Sequence, residues 1–143
     1  KLYDQVYGFN SVTLRYFNVY GPREPLKGQY APVVGLFKRQ RKEGKPITIV
    51  GDGEQRRDFT YIDDVVEANI LAANSKTRGN SVYNIGTGKN IKIKDLASLV
   101  GGEVIYISER PAEVRETLAD IELTVKSLDW RPKVKIEDII NDY

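Results

Sequence analysis

Short runs of β-branched and apolar residues, each halted by a glycine or proline, alternate along this chain with stretches of helical periodicity. That alternation is what most limits its fold. Residues 11–17 (Ser-Val-Thr-Leu-Arg-Tyr-Phe) alternate β-branched with polar positions and end in the apolar pair Tyr16-Phe17, a pattern suited to a buried strand. A loop over 18–29 follows, punctuated by Gly21-Pro22, Pro25 and Gly28. Tyr30, Val33, Val34 and Phe37 then fall at i, i+3, i+4 and i+7, which predicts an amphipathic helix over 30–42 with Pro32 tolerated in its first turn. Residues 47–50 form a short strand closed by Gly51-Asp52-Gly53, and residues 57–61 are extended.

The second half repeats the theme. A helix is expected over 63–75, with Asp63 and Asp64 at its positive end. A strand over 81–85 is stopped by Gly86-Thr87-Gly88, read as a tight turn that needs permissive φ. Ile91 and Ile93 flank a second short strand, a brief helix covers 95–100, and 103–107 is strand-like. Asp120 is placed to cap a helix over 121–128, Trp130 to anchor the last helix in the core, and 136–143 to form that helix. The class is α/β, in one domain over residues 1–143, without internal repeat or linker.

Composition narrows the chemistry. The 143 residues contain no Cys and no His, so disulfides, thiolate catalysis and the commonest general base and metal ligand are excluded from this sequence. A net charge of +2 does not point to nucleic acid. The one basic run, 38–45, lacks interleaved aromatic residues and reads as a solvated face set against a helix C-terminal dipole. No apolar stretch is long enough to span a membrane and no signal-peptide pattern opens the chain, so a cytoplasmic location without membrane contact is expected.

Three segments concentrate the candidate chemistry: residues 14–23 (Leu-Arg-Tyr-Phe-Asn-Val-Tyr-Gly-Pro-Arg), 57–65 (Arg-Asp-Phe-Thr-Tyr-Ile-Asp-Asp-Val) and 83–88 (Tyr-Asn-Ile-Gly-Thr-Gly). In the first, a strand runs into a loop at the carboxyl edge of a sheet, where open α/β folds place ligands, and Asn18 is the polar residue there. Tyr20 and Arg23 read as structural. Arg57 and Arg110 carry planar forks suited to phosphate, with Arg115 a competitor for the second position and Arg56 expected in solvent. The start of the helix over 30–42 offers unsatisfied N–H groups, that of Val33 among them, as an anion site.

Taken in this order, the three segments resemble the C-terminal half of an extended short-chain dehydrogenase/reductase of the nucleotide-sugar epimerase/dehydratase family, over nearly all of the chain. Neither a Gly-rich dinucleotide fingerprint nor a Tyr-x-x-x-Lys pair is present. The resemblance therefore implies the substrate-binding part of an enzyme, inactive alone, carrying a strand or two of the Rossmann sheet, with the NAD-binding part and the proton-transfer Tyr and Lys lying upstream. It also implies a helix after Asp95 longer than the piece before Gly101-Gly102.

For individual residues the resemblance implies that the main chain of Tyr16 and Phe17 lies beside the nicotinamide of NAD. Asn18 would contact a nucleotide sugar near its diphosphate, Arg57 and Arg110 would clamp the diphosphate, and Glu113 would hydrogen-bond the ribose. Thr48, Ile49 and Val50 would lie along a uracil base. Ala31 and Pro32 depart from relatives that have an amide side chain there. The wording of residues 15–23 is that of UDP-sugar 4-epimerases, which interconvert UDP-glucose and UDP-galactose through a 4-keto sugar. A nucleotide-sugar 4,6-dehydratase or decarboxylase fragment, or a non-catalytic nucleotide-sugar binding module, is the alternative. The resemblance further implies a homodimer for the whole enzyme, through helices largely upstream.

Overall fold

The β-branched runs pair side by side rather than back to back, and the helices between them carry the chain across. The computed structural model describes residues 2–25, 31–76 and 79–142. In chain order its elements are α1 (Leu2–Tyr7), β1 (Ser11–Tyr16), β2 (Val19–Tyr20), α2 (Val33–Lys42), β3 (Ile47–Val50), β4 (Arg56–Arg57), β5 (Thr60–Tyr61), α3 (Ile62–Asn74), β6 (Asn80–Ile85), β7 (Ile91–Lys92), α4 (Ile93–Val100), β8 (Val104–Ile107), α5 (Glu122–Leu128) and α6 (Ile136–Ile139). Parallel pairs join β1 to β6, β2 to β5 and β3 to β8; β4 and β7 pair antiparallel. Parallel neighbours need a crossover, and helices such as α3 and α4 supply it.

Two cores hold the elements. Val34 and Phe37 of α2, Ile47 and Ile49 of β3, and Leu96 and Val100 of α4 interlock in the first, closed below by Ile136 and Ile140. Complete burial of Phe37 contributes about 1.5–3 kcal/mol by transfer from water. The second core packs Val65 and Ala68 of α3 against Tyr83 and Ile85 of β6, with Leu128 and Trp130 over them.

Several expectations shift once tertiary contacts are visible. Tyr16 is 50% exposed, not buried, because among the described residues β1 pairs on one edge only and one of its faces lies open. Pro32 precedes α2 as its cap residue rather than sitting within the first turn; Tyr30 and Gly28 lie outside the described residues. Ile93 opens α4 instead of ending a strand, and the last helix is the short α6. Trp130 is buried against α3, its indole Nε1 donating to the Asp64 carbonyl at 3.0 Å; Ile136 and Ile140 hold the terminal turn instead. Asp120 stands one residue before the cap position and accepts the Glu122 N–H at 3.0 Å.

The acidic pair divides its labour. Asp63 stays exposed in the first turn of α3, as the helix dipole favours. Asp64 is buried and receives the N–H groups of Lys133 and Val134, each at 3.1 Å, so it ties the segment after Trp130 to α3. Arg56 is half-buried, not in solvent: its guanidinium donates to Asn90 Oδ1 at 2.7 Å. The basic run is likewise more than a solvated face. Arg41 reaches the Val100 carbonyl and Asn141 Oδ1, fastening α2 to the end of α4.

Gly86-Thr87-Gly88 is a turn, with Gly88 at φ +70°, but its main partner is a carboxyl group. Asp58 is fully buried and accepts from Thr87 N (2.8 Å), Thr87 Oγ1 (2.7 Å), Gly88 N (3.0 Å) and Ala119 N (3.1 Å). A Cβ on Gly86 would lie 2.3 Å from the Ala119 Cβ, so the glycine is required there by space.

Candidate functional site

Strand alternation decides which side chains can meet. Along β3, Ile47 and Ile49 point into the core, so Thr48 and Val50 face the other way. They open onto a cleft of about 370 Å³ that is also lined by Asn18, Val33, Arg39, Gln55, Arg57, Arg110 and Glu113. Asn18 enters from the loop between β1 and β2, Arg57 from β4, and Arg110 and Glu113 from the exposed segment after β8. Asn18, Arg57 and Arg110, separated widely in sequence, are thus brought together.

Arg57 is the best-held of these groups. Its side chain is 13% exposed, Nη1 donates to the Arg56 carbonyl at 2.9 Å, and Nη2 meets Glu113 Oε1 at 2.9 Å. Main-chain bonds from Arg56 N to Arg115 O (2.8 Å) and from Thr117 N to Arg56 O (3.0 Å) lay the exposed segment alongside β4. Arg115 does not line the cleft. It forms a two-pronged pair with Asp52, both contacts at 3.0 Å. That guanidinium pulls the Asp52 carboxyl down from 3.8 to about 2.

The Asp52 shift gives a sign that can be checked. Because the folded value is depressed, the contribution of the Asp52–Arg115 pair to stability is complete above the ordinary carboxyl range and is lost as pH falls toward 2. A carbon-detected NMR titration is expected to find the Asp52 midpoint at about 2, and Arg115→Ala to return it toward the ordinary value of about 3.9. An ordinary midpoint in the unaltered chain would refute the pairing in solution.

At the α2 end Pro32 and Val33 line the cleft wall; the cap residue Pro32 supplies no side-chain bond, and the Glu24 carboxyl group packs against Gly35 in the first turn. At β3 the two edge groups nearest the ends are already used: Gln40 Oε1 accepts the Thr48 N–H at 3.2 Å, and Gln55 Nε2 donates to the Val50 carbonyl at 2.9 Å. The ladder to β8 engages the alternate residues, as Ile47 N to Glu103 O and Gly51 N to Ile107 O demonstrate. The Thr48 carbonyl and the Val50 N–H are therefore adjacent on the open edge.

Ile49 sends its side chain into the core and its main chain to β8, so it is not brought to the cleft. Neither are the side chains of Tyr16 and Phe17: Tyr16 lines a separate groove beside α3 and donates to Asn69 Oδ1 at 2.9 Å, while the Phe17 N–H bonds to the Ile85 carbonyl at 2.9 Å. Sequence reasoning missed Arg39, Gln40 and Gln55. Gln55 is buried with Nε2 committed to Val50, and its Oε1 makes no hydrogen bond among the described residues. Helical spacing from Phe37 could have placed Gln40 toward β3; nothing local marks Gln55.

Parallel strand pairs, with Asn18 beyond β1, Arg110 beyond β8, Arg57 on β4 and the start of α2 lining one cleft, define an α/β ligand-binding architecture of the extended short-chain dehydrogenase/reductase kind. The model of the NAD-dependent epimerase/dehydratase family matches residues 1–86, and the chain belongs to that family. It is 38% identical over 144 residues to a putative UDP-glucose 4-epimerase of Methanocaldococcus jannaschii, covering 96% of this chain and 46% of that relative. The UDP-glucose 4-epimerase of Thermotoga maritima, solved with UDP-glucose, superposes with a TM-score of 0.91 at 37% identity, over 97% of this chain and 46% of that one. A UDP-N-acetylglucosamine 4-epimerase of Methanobrevibacter ruminantium, solved with UDP-N-acetylmuramic acid, gives a TM-score of 0.91 at 34% identity, over 99% and 47%. The chain spans about half the length of the relatives it matches. Among the described residues no helix is long and apolar enough to cross a membrane.

Proposed function

We propose that this chain is the nucleotide-sugar-binding part of an NAD-dependent UDP-sugar 4-epimerase. The convergence of Asn18, Arg57, Arg110, Glu113, the start of α2 and the open edge of β3 on one cleft carries the reading. A nucleoside diphosphate sugar has two features that fit it. Its diphosphate suits Arg57 and Arg110, with the Val33 turn of α2 as a further source of N–H donors. The imide edge of uracil presents a donor beside an acceptor, the complement of the Thr48 carbonyl and Val50 N–H. Glu113 keeps its second oxygen for a ribose hydroxyl while the first holds Arg57.

On this reading the sugar is gripped through its diphosphate and little else, which leaves the ring free to present either face. The chemistry that NAD would supply beside the sugar is reversible acceptance of a hydride. Tyr16 and Phe17 lie two and one residues before Asn18, a position from which their main chain would flank a nicotinamide next to the sugar, the rest of NAD being held by residues beyond this sequence. The proton-transfer groups belong there too, since this sequence has no Tyr-x-x-x-Lys pair. The compartment on this reading is the cytoplasm, where nucleotide sugars are made.

Calorimetric titration with UDP, dTDP and GDP tests the proposal. UDP is expected to bind more tightly than GDP, whose purine extends past the short open edge of β3. Equal affinities for all three, or none for UDP, would refute the uridine assignment.

A further inference from the structure

Thr117 stands between the buried strand segment and the cleft. Its main-chain N–H donates to the Arg56 carbonyl at 3.0 Å, its Oγ1 accepts the Asp58 N–H at 3.3 Å, and the same Oγ1 donates to Asn18 Oδ1 at 3.1 Å. A threonine hydroxyl has a single proton to give. That proton is given to Asn18 Oδ1, while the Asp58 N–H takes one of the two acceptor positions on the same threonine oxygen. The Asn18 main-chain carbonyl is meanwhile held by the Thr60 N–H at 3.2 Å, so the residue is fixed at both ends.

The consequence falls on the other half of the amide. Asn18 is exposed on the cleft wall, and an exposed carboxamide turns either its oxygen or its nitrogen outward with little preference of its own. The two orientations have opposite meanings for an anion: Nδ2 donates to it, whereas Oδ1 repels it. We infer that Thr117 is a positioning residue that holds Asn18 Oδ1 away from the ligand and so presents Nδ2 as a donor to the cleft. The orientation of Asn18 rests on the hydrogen-bond chain alone; its value to a diphosphate rests on the proposed function above. Thr117 touches no ligand in this scheme, and it acts through Asn18.

The experiment uses the chain labelled with nitrogen-15, with the Asn18 carboxamide signals identified by their loss in Asn18→Ala. Thr117→Val, which keeps the shape and removes the hydroxyl, is expected to shift or broaden those signals without ligand, and Thr117→Ser to leave them in place. With UDP as the probe, Thr117→Val is expected to weaken binding about fivefold, the size of one neutral hydrogen bond. Thr117→Ser is expected to restore binding, and Thr117→Val to have no further effect once Asn18 is Ala. Asn18→Asp supplies a variant that leaves Thr117 untouched: it still accepts from Thr117 but turns an oxygen to the cleft, and should bind UDP no better than Asn18→Ala. Unmoved Asn18 signals in Thr117→Val, an undiminished effect of that substitution in the Asn18→Ala background, or full UDP affinity in Asn18→Asp would each overturn the inference. Failure of the unaltered chain to bind UDP would instead remove the nucleotide reading, and the ligand-free signals would still decide the role of Thr117.

Discussion

Asp58→Ala is expected to lower the unfolding free energy by about 3–5 kcal/mol, since a buried donor left without an acceptor costs about 1–3 kcal/mol and a part-buried one, which water reaches, costs less. Four donors lose their acceptor at once: Thr87 N, Thr87 Oγ1, Gly88 N and Ala119 N. Gly88 is exposed and Thr87 half-buried, and the Thr87 hydroxyl has a second partner in the Lys89 carbonyl, which is why the loss falls short of four full penalties. Asp58→Asn is no rescue, because an amide nitrogen facing Gly88 N and Ala119 N opposes donor to donor. Urea unfolding reads the change as a lower midpoint at constant slope. A midpoint equal to that of the unaltered chain would mean the Gly86–Gly88 turn stands without Asp58.

The second large effect is on binding. Arg57→Ala is expected to weaken UDP affinity by ten- to about a hundredfold, the range spanned by a charge-assisted hydrogen bond of about 1.5–3 kcal/mol. The loss has two sources. The diphosphate loses its most deeply held guanidinium, and Glu113, deprived of its partner at 2.9 Å, faces the anion unpaired. Arg57→Lys keeps the charge but not the fork, so it should recover part of the affinity and not all of it. Titration calorimetry distinguishes the three. Unchanged affinity in Arg57→Ala would take Arg57 out of the site.

Periodicity made the elements legible, because whether a side chain is apolar and where it recurs is a local property. The i, i+3, i+4, i+7 pattern from Tyr30 found α2, and the β-branched alternation found β1, β3 and β6 nearly to their ends. Motif order likewise pointed to Asn18, Arg57, Arg110 and Glu113, which line one cleft. What stayed hidden depends on closure of long loops. Asp58 and Asp64 look like ordinary strand and helix-start residues until Ala119 and Lys133, 61 and 69 residues away, arrive to donate to them. Tyr16 reads as buried because its apolar surface is local, whereas the open face of β1 is a fact about neighbours. Thr48 and Val50 line the cleft whereas Ile49 between them points into the core, which single-residue spacing settles only once the core face is known.

Glu113 beside Arg57 bears on which small molecules that guanidinium favours. A solitary guanidinium in a half-enclosed recess collects inorganic phosphate or sulfate from any buffer. Here an incoming anion finds that cation already partnered, and one oxyanion alone offers nothing to the carboxylate it must displace or share. A ligand that carries hydroxyl donors a few bonds from its phosphates can satisfy both members of the pair together. At Arg57 the pairing thus favours such ligands over simple salts.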